Sequence, residues 1–439
     1  ILDRYVMAGL ENNLALKQKQ ASYEKSIYRL KEARAFFFPS VSINARYTKA
    51  DGGRVFEFPA GDMLNPVYSS LHQLTELTYN AGLTEEMFPD TSLENVIVKF
   101  IRDEEQETKA EIIQPILSTD IFFNQKIQKG LSEAEKADVI TYKRYLIAEI
   151  KKAYYTFNKV SEYAAMLNRT KKLADENVRV NEKLFENDKI TIDAVYRSKS
   201  EKSKLEQMQG EAERDLKLSQ AYFNFLLNRP LSEEIVILDT VPYIVHGNEA
   251  GEAENMALSN RSELVQLDCY SEVAGDYLRL NSYNRLPNIF AVVDYGFQGE
   301  EYSFTKEDDF TLASLVLKWD IFGGFQKSAR VQQAKIDKFI LDAKREEAES
   351  RIRLEVLNSV NDIEAILKSI LHSEDNLKYA NAAHTIINKK YMQGQASLLE
   401  LTDARNNMMQ AEARLIIDKY DYLIKLAEYE RITASYPIP

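Results

Sequence analysis

The chain repeats itself, and a repeated order of elements leaves few folds open. Asn12-Asn13-Leu14-Ala15-Leu16 corresponds to Asn260-Arg261-Ser262-Glu263-Leu264, and 27 residues beyond Asn12 and Asn260 stand Pro39 and Pro287. Leu30 and Leu278 keep the same register. Further along, Asp120-Ile121-Phe122 matches Asp320-Ile321-Phe322, and the stretch from Phe185 to Thr191 matches that from Tyr391 to Ser397. Each half therefore reads as helix, strand, loop, strand, long helix, tip, helix.

The long helices follow from what is missing. Leu131 to Asn228 contains no proline and one glycine, Gly210, which is too long for a single globular helix and fits a hairpin. Leu146, Ile150, Ala153, Phe157, Val160, Ala164 and Leu167 step by four and three, as do Val356, Val360, Ile363, Leu367 and Ile370. Such spacing specifies a left-handed supercoil; by itself it describes a cytosolic coiled coil equally well. The chain reverses at two tips. Gly394 suits the left-handed conformation that ends a helix, and Ser397 with Glu400 three residues later reads as a capping box. At the earlier tip Asn187 or Asp188 takes the left-handed position and Thr191 starts the next helix. The first descending helix, of roughly 60 residues and 90 Å, outruns its returning partner. A short helix from Asn12 to Phe38, stacked end to end on the returning one, would complete its cover.

After each proline the period becomes two. Val41, Ile43, Ala45 and Tyr47 alternate with polar residues, as do Ile289, Ala291, Val293, Tyr295 and Phe297, which is a strand signature. Two more strands lie within Lys109–Thr119 and Phe310–Trp319. The first half carries an insertion within Ala50–Gln106 containing Gly52-Gly53, Pro59, Gly61, Pro66 and Pro89. It reads as a long irregular surface loop around a short helix from Ser70 to Asn80. Four strands cannot close a barrel, which needs about eight. They form either a small soluble sheet with one buried face or a part that several copies pool.

A net charge of -12 argues against nucleic-acid binding, which needs an excess of Lys and Arg. Cys269 is the only cysteine, so no internal disulfide forms, and His72, His246, His372 and His384 lack metal-ligand spacing. No metal or other cofactor is expected. There is no apolar run long enough for a transmembrane helix, and no nucleophile elbow, zincin or P-loop motif, so an enzyme is not expected. Nothing at Ile1 resembles a signal peptide. The chain opens inside a helical pattern, with Leu10, Leu14 and Leu16, and reads as one whose beginning has been removed.

Taken together, Glu11-Asn12-Asn13-Leu14, Pro39 and Pro287, Leu226-Leu227-Asn228, Trp319-Asp320-Ile321-Phe322-Gly323-Gly324 and the tip from Tyr391 to Asp403 resemble a TolC-type outer-membrane efflux protein over nearly the whole chain. The resemblance implies a mostly α fold with a β-barrel portion, built from two tandem repeats. The first spans residues 1–228, with strands 39–49 and 109–121, loop 50–106, and helical hairpin 123–228 with its tip at 186–191. An equatorial connection covers 229–251. The second repeat spans 252–436, with strands 287–298 and 309–321, and hairpin 325–436 with its tip at 392–397.

In such a family three copies make a twelve-stranded barrel in the outer membrane of a Gram-negative bacterium, on a coiled-coil helical tunnel in the periplasm. The implied function is a passive exit duct that serves an inner-membrane pump through a periplasmic adaptor. Adaptor docking is expected at Asp188, Lys189, Ile190 and Thr191 and at Gly394, Gln395, Ala396 and Ser397. Glu400 and Asp403, three residues apart on one helix face, would put six carboxylates around the threefold axis as a periplasmic gate. The family has two aspartates at these positions, and here the first is Glu400. Some members close by pairing a tip Tyr and Arg with an Asp of the neighbouring hairpin. Tyr391 is present, but Ala396 replaces the arginine and Ala194 the aspartate, with Asp193 one residue away. The rival reading is a soluble periplasmic coiled-coil adaptor or structural protein that spans no membrane.

Overall fold

The computed structural model describes residues 1–78, 92–237 and 250–438. In chain order the elements are α1 (Leu2–Asn12), α2 (Leu14–Ala35), β1 (Ser40–Lys49), β2 (Val55–Phe58), α3 (Ala60–Thr78), β3 (Val96–Lys99), β4 (Glu104–Leu117), α4 (Thr119–Glu186) and α5 (Ile192–Leu226). They continue with α6 (Ala250–Asn260), α7 (Ser262–Tyr283), β5 (Asn288–Gly299), β6 (Asp309–Lys318), α8 (Gln326–Met392) and α9 (Leu398–Ile432). The chain divides into a helical unit, Ile1–Ala33 with Phe122–Tyr283 and Gly324–Pro439, and a β unit, Arg34–Ile121 with Asn284–Gly323. Both halves of the sequence contribute to each.

In the helical unit α4 and α8 have 68 and 67 residues, roughly 100 Å each at 1.5 Å per residue. Their apolar seams are inside. Leu146, Ile150, Ala153, Phe157, Ala164 and Leu167 are buried, as are Val356, Ile363 and Ile370. Lys202 pairs with Asp175 and Lys199 with Glu182 where α5 lies on the lower half of α4. Lys19 pairs with Asp138, and Ser26 bonds Ser132, where α2 lies on its upper half. Asn13 joins the two covering helices. Its Oδ1 accepts the Leu16 amide at 3.0 Å and caps α2, while its Nδ2 donates to the Leu226 carbonyl at the end of α5 at 2.9 Å. One side chain thus serves an orphan group at each of two helix ends.

A buried ion pair ties the two long hairpins together. Lys151 Nζ on α4 lies 2.6 Å from Glu430 Oε2 on α9 and 3.6 Å from the centre of the Tyr436 ring. Arg144 donates to the carbonyls of Ala434 and Tyr436, holding the C-terminal segment against α4. On the α8–α9 seam the buried Asp418 carboxylate accepts from Ser369, Ser373 and Arg414.

Both tips use one backbone device. Asp188 N–H bonds Phe185 O and Lys189 N–H bonds Leu184 O, while Gly394 N–H bonds Tyr391 O and Gln395 N–H bonds Lys390 O. This paired closure is a Schellman motif, which needs a left-handed residue; Asp188 has φ 52° and Gly394 φ 74°. The space around Gly394 is open, so Gly394→Ala meets only backbone strain, about 1–2 kcal/mol. Faster hydrogen exchange at the Gly394 and Gln395 amides is the expected result, and Asp188→Gly should slow exchange at Lys189.

In the β unit the four-stranded sheet has the order β1-β4-β5-β6, antiparallel throughout. Its edges, β1 and β6, have no further strand beside them among the described residues. β4 differs from the strand expected at 109–121. It starts at Glu104, where Lys49 pairs with Glu104 at 2.9 Å, and ends at Leu117 because Ser118 caps α4, accepting from the Ile121 amide. Asp120-Ile121-Phe122 is therefore the first turn of a helix. The matching Asp320-Ile321-Phe322 is not, since β6 ends at Lys318 rather than 321, and Gly324 and Phe325, both left-handed, delay α8 to Gln326.

The insertion is more ordered than the expected irregular loop. β2 and β3 pair antiparallel, and α3 starts at Ala60 rather than Ser70. Met63, Leu64, Val67, Tyr68, Leu71 and Leu74 repeat at helical spacing, and this outweighs Pro66, which forgoes one ladder bond. Asn80, the expected helix end, and residues 79–91 lie outside the described residues, as do 238–249 of the 229–251 connection. Ile235 is buried, and the Val236 amide bonds Tyr5 Oη at 3.0 Å.

Candidate functional site

Two sets of surfaces stand out: the faces of the sheet and the tips of the hairpins. Because side chains alternate across a sheet, the register places Val41, Ile43, Tyr47, Ile112, Val293, Tyr295, Leu315 and Leu317 on one face. They are all exposed, Ile43 at 80% and Leu315 at 73%. The opposite face is charged over its half toward Lys49 and Glu104, and gives way to Ile113, Phe290 and Val292 toward the other end. Arg46 pairs with Glu107 at 3.0 Å, Lys109 with Asp294 at 2.9 Å, Asn44 bonds Glu111 at 3.3 Å, and Gln298 bonds Glu105 at 2.6 Å. A four-stranded sheet apolar on its water side is unstable as a free surface, whereas hydrocarbon on that side and water on the other satisfy both faces.

At the tips, Ser397 and Glu400 form the capping box. Ser397 N–H donates to Glu400 Oε2 at 2.7 Å, and the Glu400 amide donates to Ser397 Oγ at 3.2 Å. The backbone and hydroxyl of Ser397, with Lys390 nearby, hold the Glu400 carboxyl below its ordinary range. Glu400 and Asp403 both line a shallow groove between α8 and α9, together with Tyr379, Asn376 and Asn407. Asp188, Lys189, Thr191, Gly394, Gln395 and Ser397 are exposed, while Ile190 and Ala396 are half-buried. Thr191 occupies the N-cap of α5, and its hydroxyl bonds Asp193 rather than the backbone.

Tyr391 is half-buried, and its hydroxyl donates to Asn181 Oδ1 on α4 at 2.7 Å; burial raises its pKa. Asn181 is 1% exposed, and its amide nitrogen is without a hydrogen-bond partner among the described residues. A second cross-hairpin residue is Arg405, buried on α9, whose charge reaches Glu201 on α5. Burial, then Arg405, lowers the pKa of His384 and keeps it neutral at pH 7. Sequence reasoning passed over Asn181 and Arg405. Asn181 had a signal, for it continues the four-three stepping of the α4 seam as a polar residue on an apolar line.

Residues 254–435 match the family described as Outer membrane efflux protein. The matched stretch takes in both strands β5 and β6, the hairpin α8–α9 and the tip with Glu400 and Asp403. No curated protein matches the chain in sequence. Solved structures match it nearly end to end. The outer-membrane channel OprN is 16% identical, with 100% of this chain and 91% of that one covered and a TM-score of 0.79. VceC of Vibrio cholerae is 13% identical, covering 98% and 95%, with a TM-score of 0.77. The CmeC outer membrane channel of Campylobacter jejuni is 13% identical, covering 98% and 85%, with a TM-score of 0.79. At these identities the likeness establishes the fold of outer-membrane channels for the chain as a whole.

Proposed function

We propose that this chain is the outer-membrane exit duct of a tripartite efflux or secretion machine in a Gram-negative bacterium. Three copies pool their four-stranded sheets into one twelve-stranded barrel, and the two halves of each chain act as copies of one structural unit. The observation that carries the reading is a sheet with an exposed apolar face, an opposite face charged over its half toward Lys49 and Glu104, and two open edges. Hydrocarbon forbids open edges, so such a sheet needs other copies to close it. The helical unit forms the periplasmic passage, and no helix among the described residues is long and apolar enough to cross a membrane. Glu400 and Asp403 set the aperture. The tips at Asp188–Thr191 and Gly394–Ser397 meet a periplasmic adaptor, which links the duct to an inner-membrane pump.

The test is extraction and reconstitution. The protein should leave membranes only with detergent, have the mass of a trimer, and open discrete ion-conducting channels in planar bilayers. A monomer recovered in the soluble fraction and without channel activity would sink the proposal.

A further inference from the structure

The insertion between β1 and β4 presents an apolar surface that stays exposed among the described residues. β2 and β3 expose Val55, Phe56, Phe58, Val96, Ile97 and Val98. Successive strand residues point to opposite faces, and the register puts Phe56, Phe58, Val96 and Val98 on one wholly apolar face, with Val55 and Ile97 beside Glu57 and Lys99 on the other. A lone two-stranded sheet is marginal in water. A polar clamp nevertheless ties α3 and β2 to the segment that enters β3. Asn65 exchanges two hydrogen bonds with the Leu93 backbone, and Asn95 bonds Asp62 and Glu57. These groups and the exposed Lys99–Asp103 pair are unsuited to hydrocarbon, which argues against lipid as the covering layer.

The position of the insertion names the occupant. It is rooted at the end of β1, an open edge of the sheet, with residues 50–54 between Lys49 and β2. The register Lys49↔Glu104, Gln106↔Gly299 and Phe297↔Asp309 puts the start of β6, the other open edge, at this same end. There β6 breaks the polarity of the sheet. Leu312 lies opposite Asp294 and Phe310 opposite Gly296, so both are on the charged face, and Leu312 is exposed. When copies join edge to edge, β1 of one lies beside β6 of the next, and two uncovered apolar surfaces meet.

We infer that the insertion is a clasp between copies: β2, β3 and α3 of one copy cover Phe310 and Leu312 on β6 of the neighbouring copy. This rests on the pooled-barrel reading and adds a second contact to it, outside the strand ladder. Covering these side chains removes apolar surface from water on both partners and guards the strand junction at its open end.

The test uses the full chain in a Cys269→Ser background. One tagged copy carries Val98→Cys and a differently tagged copy carries Leu312→Cys, co-expressed and treated with a short thiol crosslinker in intact outer membranes. A mixed-tag dimer is the expected product. In parallel, Phe56→Ser with Val98→Ser should lower the temperature at which trimers dissociate in SDS by ten degrees or more, with single-channel conductance kept. Trimeric, conducting protein that yields no mixed-tag product, or an unmoved dissociation temperature, would overturn the clasp alone. A wild-type protein that is monomeric in detergent would overturn the pooled barrel and the clasp with it.

Discussion

Glu400→Gln combined with Asp403→Asn is expected to abolish most of the cation preference of the reconstituted channel and to raise its single-channel conductance. Each carboxylate within about 4–8 Å of a passing ion contributes on the order of 0.5–1 kcal/mol in a water-like medium, so six of them favour cations over anions many-fold. The choice of amides matters because Glu400 has a capping task besides the one proposed for it at the gate. Its carboxylate caps α9 through the Ser397 amide, and glutamine can take over that bond, whereas Glu400→Ala loses it and frays the helix start. A channel altered by the alanine variant but not by the amide pair would assign Glu400 to capping and remove it from the gate. Acid should act late. The Glu400 carboxyl titrates below its ordinary range, so the stability it lends α9 is complete above the unfolded value. That stability is lost only as pH falls through the depressed one. Cap protection measured by hydrogen exchange should be level from pH 8 to pH 5.

The largest loss of stability is expected from Glu430→Ala. It leaves the Lys151 ammonium, 9% exposed, with the Tyr436 ring as its remaining close partner. The cost is about 2–3 kcal/mol, the low end for a broken buried pair because Glu430 keeps some contact with water. Lys151→Met removes the buried charge while keeping the stem that packs against α9, and should cost on the order of 1 kcal/mol or less. Melting followed by circular dichroism of the detergent-solubilised protein separates the two. Equal losses would mean that the pair itself, rather than the stranded charge, carries the stability.

What sequence could say about this molecule depended on the range of the interaction. Turn chemistry is local, so Gly394, Asp188 and the Ser397–Glu400 box were legible within a few residues. The seams of α4 and α8 were legible for the same reason, since heptad spacing is a property of one helix. The insertion was misread because proline and glycine were given more weight than the apolar spacing from Met63 to Leu74. Asn181 and Arg405 were out of reach for another reason. Their roles need to know which helices meet, and Asn181 and Tyr391 are 210 residues apart. The spacing of Glu400 and Asp403 on one helix face was likewise legible, but that they share one groove with α8 is a matter of packing.

The bond from Tyr391 to Asn181 has a consequence for movement. A heptad seam is blind to translation, because sliding one helix along another by seven residues, about 10 Å, presents the same apolar pattern again. A polar residue placed once on such a seam acts as an index mark, correct in a single alignment and unsatisfied in every other. Asn181 gives α4 and α8 that mark beside their tips. Helices so indexed can twist or splay about a common point, whereas sliding lengthwise breaks that bond, so the proposed duct is expected to open by rotation.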